Sequence, residues 1–464
     1  MPPDSALIVS KSTWPLEETQ SAVTGWIGVG PLLIGAIVLA CYEWHVPSPR
    51  VTVWDYLCDY RYAIITGLQL VAMAVYELAW VKVYRRHFDF SAPRPSGASA
   101  WKRICKRCLA LYVCVIFATF LYLYLGEYSF WWSFWNRYRD DRFYVHYLRL
   151  FKLGAPAVCI LCWPYFYLVE RYAKPDGPPD EFLILAGWIR KSWSVICSGL
   201  PQQRHENAHV ANLARGMLVK FFFIPVMTKF CFDNWSGWEF RTHALIHRFA
   251  AMDWSRIESI GSNFFFIAFV VYMFILLADV TIGLVGYIAS CRLLDTHVTS
   301  ADPTLLGWTV ALLCYPPIRY GVTGFYLEYS LDDVWPESLF ASHPVFSTVM
   351  MAASLGLMAV YAWATVAFGL RFSNVTNRGV ICSGPYAYVR HPAYISKNTS
   401  WWIGAVPFLL WRHPVRIPFI VFGLLGTNII YAMRALTEER HLMREPHYRE
   451  YCKKVPWRFI PGLW

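Results

Sequence analysis

Long apolar stretches separated by polar loops are the dominant pattern along this chain. A helix needs about 20 consecutive apolar residues to cross the hydrocarbon core of a bilayer. Such stretches, with a shorter pair at the end, lie near residues 22–42, 61–83, 107–126, 147–169, 214–232, 262–290, 303–325, 345–370, 399–411 and 415–435. The pattern predicts an all-α polytopic integral membrane protein with about ten transmembrane helices, the last two forming a C-terminal helical hairpin.

The distribution of charged residues predicts the orientation. The loop after the second stretch is strongly basic, with Lys82, Arg85, Arg86, Arg94, Lys102, Arg103, Lys106 and Arg107. The 326–343 loop is acidic, with Glu328, Asp332, Asp333 and Glu337. Because Lys and Arg favour cytoplasmic loops, the basic loop, residues 371–395 and the basic C-terminal tail are expected on the cytoplasmic side. Both termini are then cytoplasmic, in a bacterial inner membrane or the endoplasmic reticulum.

Composition agrees with a membrane location. The 464 residues are 56% apolar and 16% charged, whereas soluble domains carry about 25% charged residues. The 42 Lys and Arg exceed the 31 Asp and Glu, for a formal net charge of +11. Most of these basic residues lie between apolar stretches, so we interpret them as the bias of cytoplasmic loops beside anionic lipid, not as a nucleic-acid-binding surface.

The segment with the most chemistry is residues 371–402, between two apolar stretches. It contains Arg378-Gly379, Ser383-Gly384-Pro385-Tyr386 and Tyr388-Val389-Arg390-His391-Pro392-Ala393-Tyr394. Further polar motifs follow the last apolar stretch, namely Arg434, Glu438-Glu439-Arg440, His447-Tyr448, Tyr451 and Val455-Pro456-Trp457-Arg458. By the predicted orientation, all of them lie on one cytoplasmic surface.

These motifs, in this order and spacing, resemble the integral-membrane methyltransferases typified by isoprenylcysteine carboxyl methyltransferase and the phospholipid methyltransferases. The resemblance covers about residues 345–464. It implies S-adenosylmethionine as cofactor, held on the cytoplasmic side, and a lipid-like substrate that enters from the bilayer. We therefore divide the chain into an N-terminal transmembrane region of unknown role, residues 1–340 with about seven spans, and a methyltransferase-like catalytic region, residues 341–464.

The resemblance also assigns candidate site residues. In the family the His, the following Tyr and the Glu pair contact the cofactor, which carries over to His391, Tyr394, Glu438 and Glu439. Tyrosine faces attract the sulfonium, Gly and Pro allow close approach of the backbone, and Arg390 suits the cofactor carboxylate. The candidate cofactor-binding residues are Gly384, Pro385, Tyr386, Tyr388, Val389, Arg390, His391, Tyr394 and Glu438. The candidate catalytic residues are Arg434 and Glu439, and no metal ligand is assigned.

The acceptor atom stays open between a carboxylate and an amine. A carboxylate is already ionised at neutral pH and needs no base, whereas an amine needs one, for which Glu439 is the candidate. Lys397 and Asn398 stand where family members commonly have a Gly soon after the HPxY motif. Because polar residues at a span entry are costly in lipid, we expect both to line the site, and prenylcysteine is not assumed as the substrate.

Structural interpretations of the same residues remain alternatives. Arg390 and Tyr394 suit a membrane boundary, where arginine snorkels and tyrosine forms aromatic belts. Arg434 precedes Glu438 by four residues, which also suits a helix-stabilising ion pair.

Three other functions remain alternatives. The tail Tyr451-Cys452-Lys453-Lys454-Val455-Pro456-Trp457-Arg458 and the RHPxY motif also resemble NADPH-dependent sterol reductases. His205-Glu206-Asn207-Ala208-His209 matches the HExxH zinc motif of a membrane metalloprotease. Intramembrane charges at Glu77, Lys220, Lys229 and Asp279 are compatible with a transporter or receptor.

Overall fold

The computed structural model describes residues 20–41, 60–128, 142–175, 177, 180–198, 206–250, 257–315, 318, 343–411 and 417–463. Twelve α-helices form this part of the chain. They are α1 (Gln20–Cys41), α2 (Arg61–Val75), α3 (Ala98–Tyr128), α4 (Arg142–Tyr172), α5 (Glu181–Ser198), α6 (Glu206–Ala250), α7 (Ile257–Ile288), α8 (Leu305–Leu312), α9 (Pro344–Phe368), α10 (Pro392–Trp411), α11 (Ile417–Leu442) and α12 (Pro446–Lys454). The predicted all-α class is confirmed.

Six helical segments of the described residues are long and apolar enough to cross a membrane. They are Ser21–Cys41, Arg61–Val81, Val210–Ala250, Phe266–Ile288, Val345–Arg371 and Ile417–Leu442. Each overlaps a predicted stretch, as expected for a polytopic membrane protein. Helices α3, α4 and α10 cover further predicted stretches without belonging to these six. The total of about ten spans and the cytoplasmic placement of both termini therefore remain predictions.

Helix α6 is much longer than the apolar stretch that predicts it. It contains 45 residues and includes Pro225. Its candidate span, Val210–Ala250, has 41 residues, which at 1.5 Å per residue is about 60 Å, roughly twice the hydrocarbon thickness. Helix α6 is therefore much longer than one crossing of a bilayer requires.

Helix α7 joins the two parts of the chain. It packs against α6 on one side and α9 on the other. Near its C-terminal end, the ring of Tyr287 stacks on Phe223 of α6, with ring centroids 5.3 Å apart and planes at 2°. The hydroxyl of Tyr287 accepts hydrogen bonds of 2.9 Å from both the backbone and the side-chain nitrogen of Asn374. Residues before and after the predicted boundary at 340 thus share one core.

A short antiparallel pairing adds a second connection. Strand β1 (Ser300–Ala301) pairs with β2 (Thr376–Asn377). On either side, the Asp302 N–H donates to the Val375 carbonyl oxygen, and the Thr299 N–H donates to the Asn377 carbonyl oxygen, both at 2.9 Å. These bonds hold the connection between α7 and α8 against residues 371–391, which we call the motif segment.

Candidate functional site

A cavity of about 180 Å³ is lined by residues of α7–α12 and of the motif segment. Six of the predicted site residues line it: Tyr386, Arg390, His391, Tyr394, Arg434 and Glu438. They come from two separate stretches of sequence, residues 386–394 and 434–438, so the fold brings the predicted motifs to one place.

Gly384 and Pro385 shape the turn that carries Tyr386. Gly384 has φ +63°, and a Cβ there would lie 3.1 Å from Nε1 of Trp363, so glycine suits both the conformation and the space. Pro385 lies in the single 3₁₀ turn Gly384–Ala387. Tyr386 is buried edge-on against Phe368, with ring centroids 5.1 Å apart, and this burial raises the pKa of its hydroxyl.

The C-terminal tail folds back onto the motif segment. The backbone N–H groups of Arg390 and His391 each donate a 2.9 Å hydrogen bond, to the carbonyl oxygens of Trp457 and Arg458 respectively. The hydroxyl of Tyr451 donates to the carbonyl oxygen of Tyr386 at 2.8 Å. Burial raises the pKa of Tyr451, so this hydroxyl stays protonated and remains a donor at neutral pH.

Glu439 is the centre of a buried ion cluster. Its side chain is 5% exposed, and Oε1 lies 3.1 Å from both His391 Nε2 and Arg390 Nε. Its second oxygen, Oε2, accepts a 2.9 Å hydrogen bond from Arg458 Nε. Glu439 is not among the residues that line the cavity. The carboxylate therefore holds the histidine, the motif arginine and the tail together from behind the cavity wall.

Glu438 faces the cavity. It accepts hydrogen bonds from the Tyr394 hydroxyl at 2.5 Å and from Arg434 Nε at 3.2 Å. The ring of Tyr394 stacks on His391, with centroids 5.3 Å apart and planes at 12°. The helical Arg434–Glu438 pair anticipated from the sequence thus exists, and it belongs to the cavity wall.

Aromatic rings surround the guanidinium of Arg434. Its central carbon lies 5.2 Å from the Tyr394 ring centroid, 5.7 Å from that of Tyr315 and 6.0 Å from that of Tyr431. It also donates a hydrogen bond to the side-chain oxygen of Asn374. A tyrosine face predicted to attract a sulfonium thus already attracts a cation of the protein itself.

The fold does not bring every predicted residue to the cavity. Tyr388 is 68% exposed and Val389 is buried, and neither lines the cavity. Gly384 and Pro385 support the turn from outside the lining. The HExxH motif at residues 205–209 lies outside the described side chains, as does the acidic 326–342 segment.

Sequence reasoning expected Lys397 at the site but missed the polar residues around it. Lys397 of α10 lines the cavity together with Asp279 of α7 and Tyr361 and Thr365 of α9. A charged residue within an apolar stretch, Asp279, was the one sign of these polar residues in the sequence. Because Asp279 lies about 100 residues before the motif segment, there was no reason in the sequence to place it beside the cofactor motifs. Asn398, expected beside Lys397, instead donates to the carbonyl oxygen of Tyr394 at 2.8 Å.

A separate cluster of ligand-type groups lies behind Arg371. His87, Asp295 and His297 each offer one atom that could bind a metal ion, and these three atoms lie within 4.8 Å of one another. Asp295 is paired with Arg86, with Arg371 at 3.1 Å and with His87 Nε2 at 2.6 Å. Despite burial, these partners lower the pKa of Asp295. Because two guanidiniums already neutralise this carboxylate, the cluster is best described as an ion-pair network.

The cavity contains both a cationic and an anionic side chain, and S-adenosylmethionine carries groups of both charges. Arg378 is 4% exposed, and its Nη1 donates to the carbonyl oxygens of Gly286 and Phe372 at 2.8 and 2.9 Å. Among the described residues, its Nε and Nη2 have no hydrogen-bond partner. Burial lowers its pKa to about 10, so it remains a cation at neutral pH. Buried donors without partners suit an anionic group of a ligand, and Glu438 suits a cationic one.

Comparison with known proteins gives one match. Neither curated proteins nor solved structures match the chain. The motif segment, α10 and α11 lie within the region that does match a family. Residues 345–444 of this chain match the isoprenylcysteine carboxyl methyltransferase (ICMT) family, whose members are S-adenosylmethionine-dependent methyltransferases.

Proposed function

We propose that this protein transfers a methyl group from S-adenosylmethionine to a hydrophobic or lipid-linked acceptor, through a carboxylate or an amine. The observation that carries the proposal is the convergence of Arg390, His391, Tyr394, Arg434 and Glu438 on one cavity whose wall also includes residues of the candidate membrane helices α7 and α9. A lipid-like acceptor approaching along those helices would reach the same space as the cofactor.

The proposed cofactor-binding residues supply complementary charges and surfaces. Glu438 is placed for the ammonium or the ribose hydroxyls, and Arg390 and Arg378 for the carboxylate. Tyr386, His391 and Tyr394 offer ring faces and edges. Gly384, Pro385 and Val389 maintain the turn, and Tyr388, which is exposed outside the cavity, is assigned no contact with the cofactor. When bound, S-adenosylmethionine supplies a methyl group whose carbon–sulfur electron pair stays on sulfur as the acceptor's lone pair forms the new bond.

The protein's main contribution is alignment. Methyl transfer is an in-line displacement, so holding the two reactants in line accounts for most of the rate enhancement. We propose that Arg434, held by Asn374 and the tyrosine rings, orients the reacting groups. Glu439 acts as a positioning residue, since its oxygens are turned to His391, Arg390 and Arg458. If the acceptor is an amine, the carboxylates of Asp279, Asp302 and Glu438, which line the cavity, are the candidates to receive its proton.

The first test is cofactor choice with the purified full-length protein in neutral detergent. S-adenosylmethionine should raise the melting temperature and NADPH should not, since a ligand stabilises the state that binds it. Stabilisation by NADPH alone would favour the reductase alternative and contradict the proposal.

The second test is methyl transfer. Incubation with methyl-labelled S-adenosylmethionine and a total lipid extract should move label into the organic phase. Glu438→Gln and His391→Ala should reduce transfer and cofactor binding together, whereas the matched control Tyr388→Phe, outside the cavity, should change neither. Normal cofactor binding by both cavity variants would contradict the site assignment.

A further inference from the structure

The basic loop after the second candidate span, residues 82–107, carries far more positive than negative charge. It contains eight Lys and Arg and one Asp. It begins directly after the candidate span Arg61–Val81 and ends within the first turns of α3. The loop therefore lies at one end of a candidate membrane helix, and it lies outside the region that matches the ICMT family.

Three of the eight basic side chains are paired with carboxylates inside the fold. Arg103 and Arg107 both donate to Glu170 of α4, at 2.8 and 2.6 Å. Arg86 forms an ion pair with Asp295. These three cations stabilise the packing of the loop against the helices, and their charge is already balanced.

The other five basic side chains are exposed, and none of them has an acidic partner among the described residues. They are Lys82, Arg85, Arg94, Lys102 and Lys106. The single carboxylate of the loop, Asp89, accepts hydrogen bonds from the backbone N–H and the hydroxyl of Ser91, at 3.0 and 2.5 Å. The fold thus presents five cations outward without an anion of the described chain to balance them.

Two exposed tryptophans are close to these cations in sequence. Trp80, two residues before Lys82, is 80% exposed, and Trp101, directly before Lys102, is 51% exposed. The ring centroid of Trp101 lies 6.2 Å from that of Tyr167 on α4. Indole rings favour the headgroup level of a membrane, where one edge is wet and the other contacts acyl chains. Exposed indoles beside unpaired cations therefore suit a membrane surface.

The loop is held in one conformation by the end of α4. The backbone N–H of Asp89 donates to the carbonyl oxygen of Tyr172 at 2.8 Å. The backbone N–H of Arg94 donates to the carbonyl oxygen of Arg171, also at 2.8 Å. The ring of Phe90 lies 4.8 Å from that of Tyr172. Because the backbone is already fixed, a ligand of this surface would lose little affinity to ordering of the loop.

We propose that Trp80, Trp101 and the five unpaired cations of the basic loop form a surface that binds the headgroup phosphates of anionic phospholipids. Lys and Arg side chains are attracted to an anionic leaflet, and the indole rings would insert at the depth of the same headgroups. The inference is independent of the proposed function, since none of these residues lines the cavity.

Quenching of tryptophan fluorescence by brominated lipid tests the surface directly. The full-length protein is reconstituted in phosphatidylcholine vesicles that contain an increasing fraction of dibrominated phosphatidylglycerol or, for comparison, of dibrominated phosphatidylcholine. The difference between the wild type and Trp101→Phe isolates the signal of Trp101. Half-maximal quenching of this signal should need a roughly tenfold lower fraction of the anionic lipid. High salt should reduce this preference, because it screens exposed charges.

Variants of Lys102 test the role of the unpaired cations, each compared with its own Trp101→Phe derivative. Lys102→Gln should reduce the preference for phosphatidylglycerol by about fivefold, the contribution of one basic residue near an anionic surface. Lys102→Arg keeps the charge and should keep the preference. The matched control is Lys453→Gln on α12, which removes one exposed charge elsewhere in the chain and should leave the preference unchanged. All three variants should unfold at the wild-type temperature.

The outcomes decide whether this surface binds anionic lipid. Equal quenching of Trp101 by the two brominated lipids in the wild type would overturn the inference. A wild-type preference in Lys102→Gln would also overturn it, because the unpaired cation would then play no part. If Lys102→Gln and Lys453→Gln lose the preference equally, the total charge of the protein attracts the lipid and the assignment to the basic loop is wrong. None of these measurements depends on methyl transfer, so the proposed function is tested separately.

Discussion

Nε2 of His391 lies 3.1 Å from Oε1 of Glu439, although the two residues are 48 positions apart. The contact joins the start of α10 to the end of α11, and Arg458 of the tail completes it from a third direction. The HPxY motif and the acidic pair are thus two halves of one structural unit. This relationship makes different predictions for the two neighbouring glutamates.

Glu439→Ala should destabilise the protein. Removal of this buried carboxylate leaves Arg390, Arg458 and His391 without their shared partner, a change that costs about 3–5 kcal/mol for buried ion pairs. The melting temperature should fall markedly, with loss of cofactor binding as a consequence. Glu438→Gln is the matched control, since its more exposed side chain lines the cavity, and it should lower cofactor affinity with little change in melting temperature. Equal melting temperatures for both variants would contradict these roles.

Tyr451→Phe tests whether the tail supports the cofactor turn. The substitution deletes the hydroxyl that donates to the Tyr386 carbonyl oxygen and keeps the ring. We expect a loss of about 1 kcal/mol in stability and weaker S-adenosylmethionine binding, measured by thermal unfolding and by titration. Tyr388→Phe removes an exposed hydroxyl from the same turn and should have no effect on either measurement.

Gly384→Ala should impair the motif turn. At φ +63° an added Cβ meets Trp363 Nε1 at 3.1 Å, and the left-handed conformation alone costs about 1–2 kcal/mol. Cofactor affinity should fall because Tyr386 moves with the turn. Gly356→Ala on α9 has nothing within 4 Å of its added Cβ and should preserve cofactor affinity. A Gly384→Ala protein with wild-type affinity would show that the turn has no part in the site.

Acidification should weaken the protein through His297. Burial and the neighbouring His87 lower the pKa of His297 from 6.5 to about 3. Because the unfolded state then binds a proton that the folded state excludes, stability from this group is complete above pH 6.5 and declines as the pH falls toward 3. The decline is about 1.4 kcal/mol per pH unit, up to about 2 kcal/mol at pH 5.

His297→Asn should flatten that part of the stability profile, as measured by denaturant unfolding between pH 7 and pH 5. The exposed His247→Asn provides the matched control and should retain the wild-type slope. Asp295 titrates below this window because its pKa is lowered from 3.8. An unchanged slope in His297→Asn would show that another group causes the pH dependence.

Apolar length was a sufficient guide to most helices. The stretches near 22–42 and 262–290 overlap α1 and α7, since about 20 apolar residues have few alternatives to a spanning helix. The apolar pattern did not predict where a helix ends when polar residues continue the helix beyond its apolar part. Helix α6 continues to Ala250 far past its apolar part, because the following residues contain no proline or glycine run that would end it.

The motif residues could be recognised individually, but their separate roles could not. Glu438 and Glu439 are adjacent in sequence, and a helix turns about 100° between them. One therefore faces the cavity and the other faces the cluster formed by His391, Arg390 and Arg458. No local pattern distinguishes them, because the difference depends on where α10 and the tail pack.

The amino-acid sequence by itself determined the class of protein, the location of its polar motifs and the chemistry that those motifs suit, because hydrophobic length and residue type act locally. Tertiary structure alone decided that Asp279, from a helix outside the family match, meets Tyr361 and Lys397 in the same cavity. It also decided that the tail closes over the motif segment. Such contacts join residues that are distant in sequence, and helix packing, not local propensity, brings them together.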